Sequence, residues 1–166
     1  MSNQEHEKKE WYVAEWSPLA WLETGMKAIA LTLGITAAVR ALSGGGLVLP
    51  GGMRLAQLVV QGLLSLGLIA AIFNRLMERE IVAMLFVIVN NLGHWGVVLA
   101  LASEVGPGRL LFGFAGLMLL GDLVKLAFLL THPEFTVRDA PRSALYGLTL
   151  LYVVGYAVIL ILEFIR

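Results

Sequence analysis

The chain has 166 residues, of which 58% are hydrophobic and only 14% charged, with 12 basic and 12 acidic side chains and a mean hydropathy of +0.82. A water-soluble domain is about half apolar and about a quarter charged, so this composition excludes an ordinary soluble domain and, with the charges balanced, a basic face for nucleic acid. Cysteine is absent, which removes disulfides, thiolate catalysis and cysteine metal sites.

The first ten residues are polar and acidic. A secretory signal has a basic stretch running straight into an apolar one. Here Lys8 and Lys9 run into Glu10, Trp11 and Tyr12, so no cleaved signal is expected and the first apolar run should stay in the mature protein. Trp11, Tyr12, Trp16 and Trp21 cluster ahead of that run. Tryptophan and tyrosine favour the headgroup zone, so this segment reads as an interfacial anchor, a short amphipathic helix broken near Pro18. The alternative use of such a cluster is docking a partner.

Five apolar stretches follow, at about residues 26–42, 55–73, 81–102, 109–130 and 143–164, each near the length that crosses a hydrocarbon core. Glycine- and proline-rich or charged connections separate them: Ser43-Gly44-Gly45-Gly46 and Pro50-Gly51-Gly52, then residues 74–80, Gly106-Pro107-Gly108, and residues 131–142 with Pro133 and Pro141. Backbone groups in hydrocarbon need internal partners, so the stretches should be helices. The expected fold is all-α, a polytopic transmembrane helix bundle of about five spans. Residues 1–25 form a tail and aromatic segment, and residues 26–166 form the bundle. The first span is short between Lys27 and Arg40, which would snorkel to opposite interfaces. The alternative is four spans with an interfacial N-terminal helix.

Five spans put Lys8, Lys9, Lys27, Arg75, Arg79, Arg138 and Arg142 on one side, and Arg40, Arg54, Arg109 and Arg166 on the other. The excess of basic residues marks the cytoplasmic side. The expected location is therefore the cell (inner) membrane, with the N-terminus cytoplasmic and the C-terminus outside.

Three spans carry polar groups where lipid penalises them: Asn90, Asn91 and His94 on the third, Asp122 and Lys125 on the fourth, and Tyr146, Tyr152 and Tyr156 on the fifth. With a rise of about 1.5 Å per residue, Asn90, Asp122 and Tyr152 fall about 12–13 Å from the same interface and can share one layer. Gln61 on the second span falls near the level of His94. Asp122 and Lys125 are three apart and can pair along one helix. The plain reading is an internal ion pair, hydrogen-bonded to Asn90 or Asn91, that holds helices in register. The functional reading makes Asp122 the titrating group of a polar pathway, with His94 as relay or gate.

No catalytic set is complete: H-E-x-x-H, G-x-S-x-G and a phosphate loop are all missing. With His94 the one histidine at depth, and His132 and Glu134 in a connection, no metal and no cofactor is expected. Glycines recur on the second to fifth spans, which suits close helix contact within the chain or at a homo-oligomer or membrane-protein partner. Three functions follow, in this order: a non-catalytic subunit, assembly factor or partner-binding protein; a small oligomeric transporter or channel using the layer around Asp122; and a membrane-embedded enzyme. A cavity reaching Asp122 would favour transport, and a layer closed by direct hydrogen bonds would favour the first.

Overall fold

The computed structural model describes residues 15–45, 47, 49–102, 108–135 and 141–165. Of these, 88% are helical and none is in a strand. There are five long helices: α1 (Pro18–Arg40), α2 (Gly52–Glu78), α3 (Ile81–Leu101), α4 (Gly108–Thr131) and α5 (Arg142–Phe164). All five are long and apolar enough to cross a membrane, so the expected all-α bundle of five such helices is present.

The helices start and stop for local reasons. Pro18 takes the first turn of α1, where its missing N–H costs nothing, and the Ser17 hydroxyl accepts from the Ala20 amide at 3.3 Å. Between α2 and α3 the chain reverses in two residues. Arg79 adopts the left-handed conformation that ends α2, and the Glu80 carboxylate caps α3 by accepting from the amides of Val82 and Ala83. At the α4–α5 reversal Arg142 donates to the carbonyls of Leu129 and Pro133, while the Tyr146 hydroxyl donates to Leu129 at 2.7 Å. Two side chains of α5 thus serve carbonyl oxygens at and beyond the end of α4.

The start of α1 differs from the sequence reading. The helix begins at Pro18, ahead of residue 26, so Trp21 belongs to the helix and no separate interfacial helix precedes it among the described residues. Trp16 sits beside Trp21, ring centroids 5.5 Å apart, and meets Phe86 of α3 edge-on at 5.4 Å. Trp11 and Tyr12 lie outside the described residues.

The helices alternate in direction. Phe86 near the start of α3 meets the start of α1, Leu33 and Lys27 of α1 face Gly113 and Gly121 of α4 in reverse order, and Arg54 near the start of α2 pairs with Glu163 near the end of α5. The described chain therefore begins and finishes at opposite ends of the bundle.

Packing divides the bundle in two. α1 lies against both α3 and α4, while α2 flanks α3 and α5 flanks α4. On the α1 side the contact is made by small residues. Gly34 and Gly96 bring α1 and α3 so close that a Cβ on Gly96 would stand 3.0 Å from the Gly34 Cα, and the Phe114 ring of α4 closes over both. Ala30, Ala37, Val97, Ala100, Leu111 and Ala115 complete this dry half. Between lipid-facing helices such close van der Waals contact is a main source of cohesion. On the other side α2, α3 and α5 meet through larger and more polar side chains.

Candidate functional site

The deepest charges lie on the dry side. The buried stripe of α1 reads Glu23, Lys27, Ala30, Gly34, Ala37, at intervals of three or four residues, so one face carries both charges and small residues toward α3 and α4. Lys27 is fully buried. Its Nζ donates to Asp122 Oδ1 at 2.6 Å and to Glu23 Oε1 at 2.8 Å, and lies 5.9 Å from the Phe86 ring centroid. Gly121 makes the approach feasible: a Cβ there would stand 3.1 Å from both Cγ and Cε of the lysine. One ammonium thus serves two carboxylates from two helices.

This corrects two expectations. Lys27 does not snorkel: nine residues past the start of α1, about 13 Å into the helix, it is held inward by its partners. Asp122 does not pair with Lys125. Its ion-pair partner is Lys27, while Lys125 is half-buried and makes no ion pair among the described residues. Nor do Asn90 or Asn91 bond to the carboxylate. Asn91 Nδ2 instead reaches the Ser65 carbonyl on α2 at 3.5 Å, and Asn90 Oδ1 has no partner among the described residues.

A second group of polar residues joins α3 and α5. His94 Nδ1 and the Tyr156 hydroxyl share a hydrogen bond, and the imidazole lies over the Tyr152 ring with centroids 4.0 Å apart. Both tyrosines and the histidine are buried. Tyr146 stands apart, at the α4–α5 reversal.

A third set was not read from the sequence as a set. Arg54, Gln57, Gln61 and Ser65 follow one another on α2 at intervals of three or four, a polar stripe about 16 Å long. It faces α5: Arg54 pairs with Glu163 at 3.2 Å, and the Gln61 amide occupies space left open by Gly155, where a Cβ would be 2.6 Å away. At its outer end the Pro50–Gly51 turn, Arg54, Gln57, Leu162 and Glu163 line a cleft of about 440 Å³.

Seven buried polar side-chain atoms have no hydrogen-bond partner among the described residues: Arg54 Nε, Gln57 Nε2, Gln61 Oε1, Ser65 Oγ, Asn90 Oδ1, Asp122 Oδ2 and the Tyr152 hydroxyl. Six belong to these three groups, and the seventh, Asn90 Oδ1, is on α3. Arg54 and Gln57 lie at the cleft, and further along α2 Gln61 reaches Gly155 on α5, next to Tyr156. Among the described residues no three His, Asp or Glu side chains gather as a metal site would require. No protein-family model, curated protein or solved structure matches the chain.

Proposed function

We propose that this chain is a small multi-pass protein of the cell membrane, N-terminus cytoplasmic, that handles a small ion within the bilayer through its polar interior. The observation that carries this reading is the set of seven buried polar side-chain atoms, Asp122 Oδ2 among them, that have no hydrogen-bond partner among the described residues. Leaving a buried polar atom without a partner costs about 1–3 kcal/mol. Seven of them would consume much of the roughly 5–15 kcal/mol by which a typical domain is stable. An interior built only to hold helices together would be apolar or fully bonded, so this one is suited to hold water. Ionisable groups at membrane depth point the same way.

The two structural criteria set by the sequence give a mixed outcome. The cleft at Arg54 and Glu163 ends at Gln57 and does not open onto Asp122, yet the layer is not closed by direct bonds either. The number of unpartnered atoms favours ion handling over a purely structural layer.

A second reading, a non-catalytic subunit, assembly factor or partner-binding protein, is favoured by α2. It is the least buried of the five helices, and Gly62 and Gly67 have open space where a side chain would stand. A homo-oligomer or another membrane protein would fit there.

One experiment separates the two. The purified protein in a supported bilayer should give a charge displacement under an ion gradient, and replacing Glu23, Lys27 and Asp122 by Gln, Met and Asn should remove it. Absence of charge movement, together with a stoichiometric protein partner in native mass spectrometry, would favour the second reading.

A further inference from the structure

We infer that the cleft between the start of α2 and the end of α5 binds the headgroup of an amine-bearing zwitterionic phospholipid, the phosphatidylethanolamine class, with phosphate on the α2 wall and ammonium on the α5 wall. The cleft ends at Gln57 and does not reach Asp122, so this inference is independent of the ion-handling reading.

Position comes first. Arg54 is the third residue of α2 and Glu163 the last but one of α5, and both helices are long and apolar enough to cross a membrane. The cleft between them therefore lies where two spans reach the headgroup layer. Met53 and Leu162 add apolar wall beside the charges, suited to the glycerol and first methylenes of a lipid. At about 440 Å³ the cleft falls within the range of about 300–1,000 Å³ for small-molecule sites.

The two walls have opposite sign. α2 begins here, and a helix N-terminus carries a partial positive charge and unbonded amides. Gly51 offers no side-chain cap, and Gly51, Gly52 and Met53 are exposed, so those amides are open to a ligand. Arg54 adds a full charge to the same wall. Its Nη2 donates to Glu163 Oε1 at 3.2 Å, its side chain is 21% exposed, and its Nε has no partner among the described residues. Gln57, one turn further on, also has an amide nitrogen without a partner among them. This wall offers donors in excess of acceptors, the arrangement that a phosphate satisfies. The other wall is the reverse. α5 ends here with a partial negative charge and unbonded carbonyls, and Glu163 adds a carboxylate. A carboxylate has about four acceptor sites, so Glu163 accepts an ammonium while it keeps Arg54.

A phosphate alone would meet Glu163 as a like charge, and a cation alone would meet Arg54 as one. An ethanolamine phosphate diester answers both walls at once, because an ethylene group separates its anionic oxygens from its ammonium N–H donors. Choline carries the same charges but has no N–H to give, and a glycerol headgroup lacks the cation. Both differences favour the amine-bearing zwitterion.

The test is native mass spectrometry of the full chain in detergent, titrated in turn with phosphatidylethanolamine, phosphatidylcholine and phosphatidylglycerol of identical acyl chains. Phosphatidylethanolamine is expected to bind about tenfold more tightly than either, the factor that one charge-assisted hydrogen bond supplies. Each wall has its own signature. Arg54→Gln should weaken binding of all three lipids. Glu163→Gln keeps the phosphate wall and should erase the preference over phosphatidylglycerol; it carries the test if Arg54→Gln does not fold. Equal binding of the three lipids by the natural chain, or a preference for phosphatidylglycerol, would overturn the inference. So would soluble glycerophosphoethanolamine binding as tightly as the lipid, since the cleft would then recognise a free phosphate ester.

Discussion

Lys27 of α1 donates to Asp122 of α4 across 2.6 Å, a bond between residues 95 positions apart that ties the first helix of the bundle to the fourth. Glu23 completes the triad from one turn below the lysine, at 2.8 Å. Removing the lysine alone leaves two carboxylates buried side by side. Breaking a buried pair in this way costs about 3–5 kcal/mol. Lys27→Met should therefore lower the unfolding midpoint in detergent strongly. Replacing the whole triad with Gln, Met and Asn removes the charges together and should restore most of that loss, because well-packed neutral groups often match a buried ion pair. Thermal unfolding of the single and triple variants, followed by size-exclusion chromatography, checks both. A triple variant as unstable as the single one would show that the triad contributes more than charge balance.

The difference between sequence and structure is concentrated in α1. Five apolar stretches follow directly from composition, and the structure has five helices in those places. Asn90, Asn91, His94, Asp122, Lys125 and Tyr152 stand out in a sequence because lipid penalises each of them separately. Which of them touch is another matter. The Asp122–Lys125 pairing came from spacing along one helix, and the partner that the fold supplies is on another helix. A local signal for that partner was present. Ser17-Pro18 is a helix-start pair, a capping hydroxyl followed by a residue suited to the first turn. Starting α1 there makes Lys27 interior and sets Glu23 one turn from it. Starting the span at residue 26 turns the same lysine into a flank. The stripe of Gln57, Gln61 and Ser65 was also legible, at helical spacing, but glutamine and serine in an apolar run are individually unremarkable and only their alignment opposite α5 gives them weight.

Gly96 is the tightest point of the dry half. A Cβ there would stand 2.6 Å from the Phe114 ring and 3.0 Å from the Gly34 backbone, and the backbone cannot turn aside. Gly96→Ala should cost about 1–3 kcal/mol, the range for overpacking a close-packed interior. Gly116→Ala is the control. Nothing lies within 4 Å of its added methyl, so the change should be neutral or slightly stabilising through helix propensity. Adding Phe114→Leu to Gly96→Ala should recover part of the loss. Equal midpoints for the Gly96 and Gly116 variants would refute the close α1–α3 contact.

The alternating helices put the described start of α1 and the end of α5 at opposite ends of the bundle. In a membrane the two termini should then face opposite sides. The natural chain lacks cysteine, so one introduced near either terminus is a unique label site. In intact cells a membrane-impermeant maleimide should label a cysteine at the C-terminus and spare one at the N-terminus until the membrane is opened. Labelling of both from one side would mean that one helix does not cross.

The α4–α5 reversal depends on a phenol and a guanidinium on the first turns of α5. The Tyr146 hydroxyl donates to the Leu129 carbonyl at 2.7 Å, and Arg142 donates to that carbonyl, to the carbonyl of Pro133 and to the Tyr146 oxygen. Arg142 therefore still serves Leu129 when the phenol is gone. Tyr146→Phe removes one neutral bond and should cost about 1 kcal/mol. Arg142→Ala removes a charge-assisted donor from two carbonyls and should cost more, about 1.5–3 kcal/mol. Hydrogen exchange localises the effect: faster exchange at the end of α4 with α1 and α3 unchanged is expected. Uniform acceleration across the bundle would instead mean that the reversal is part of the global folding unit.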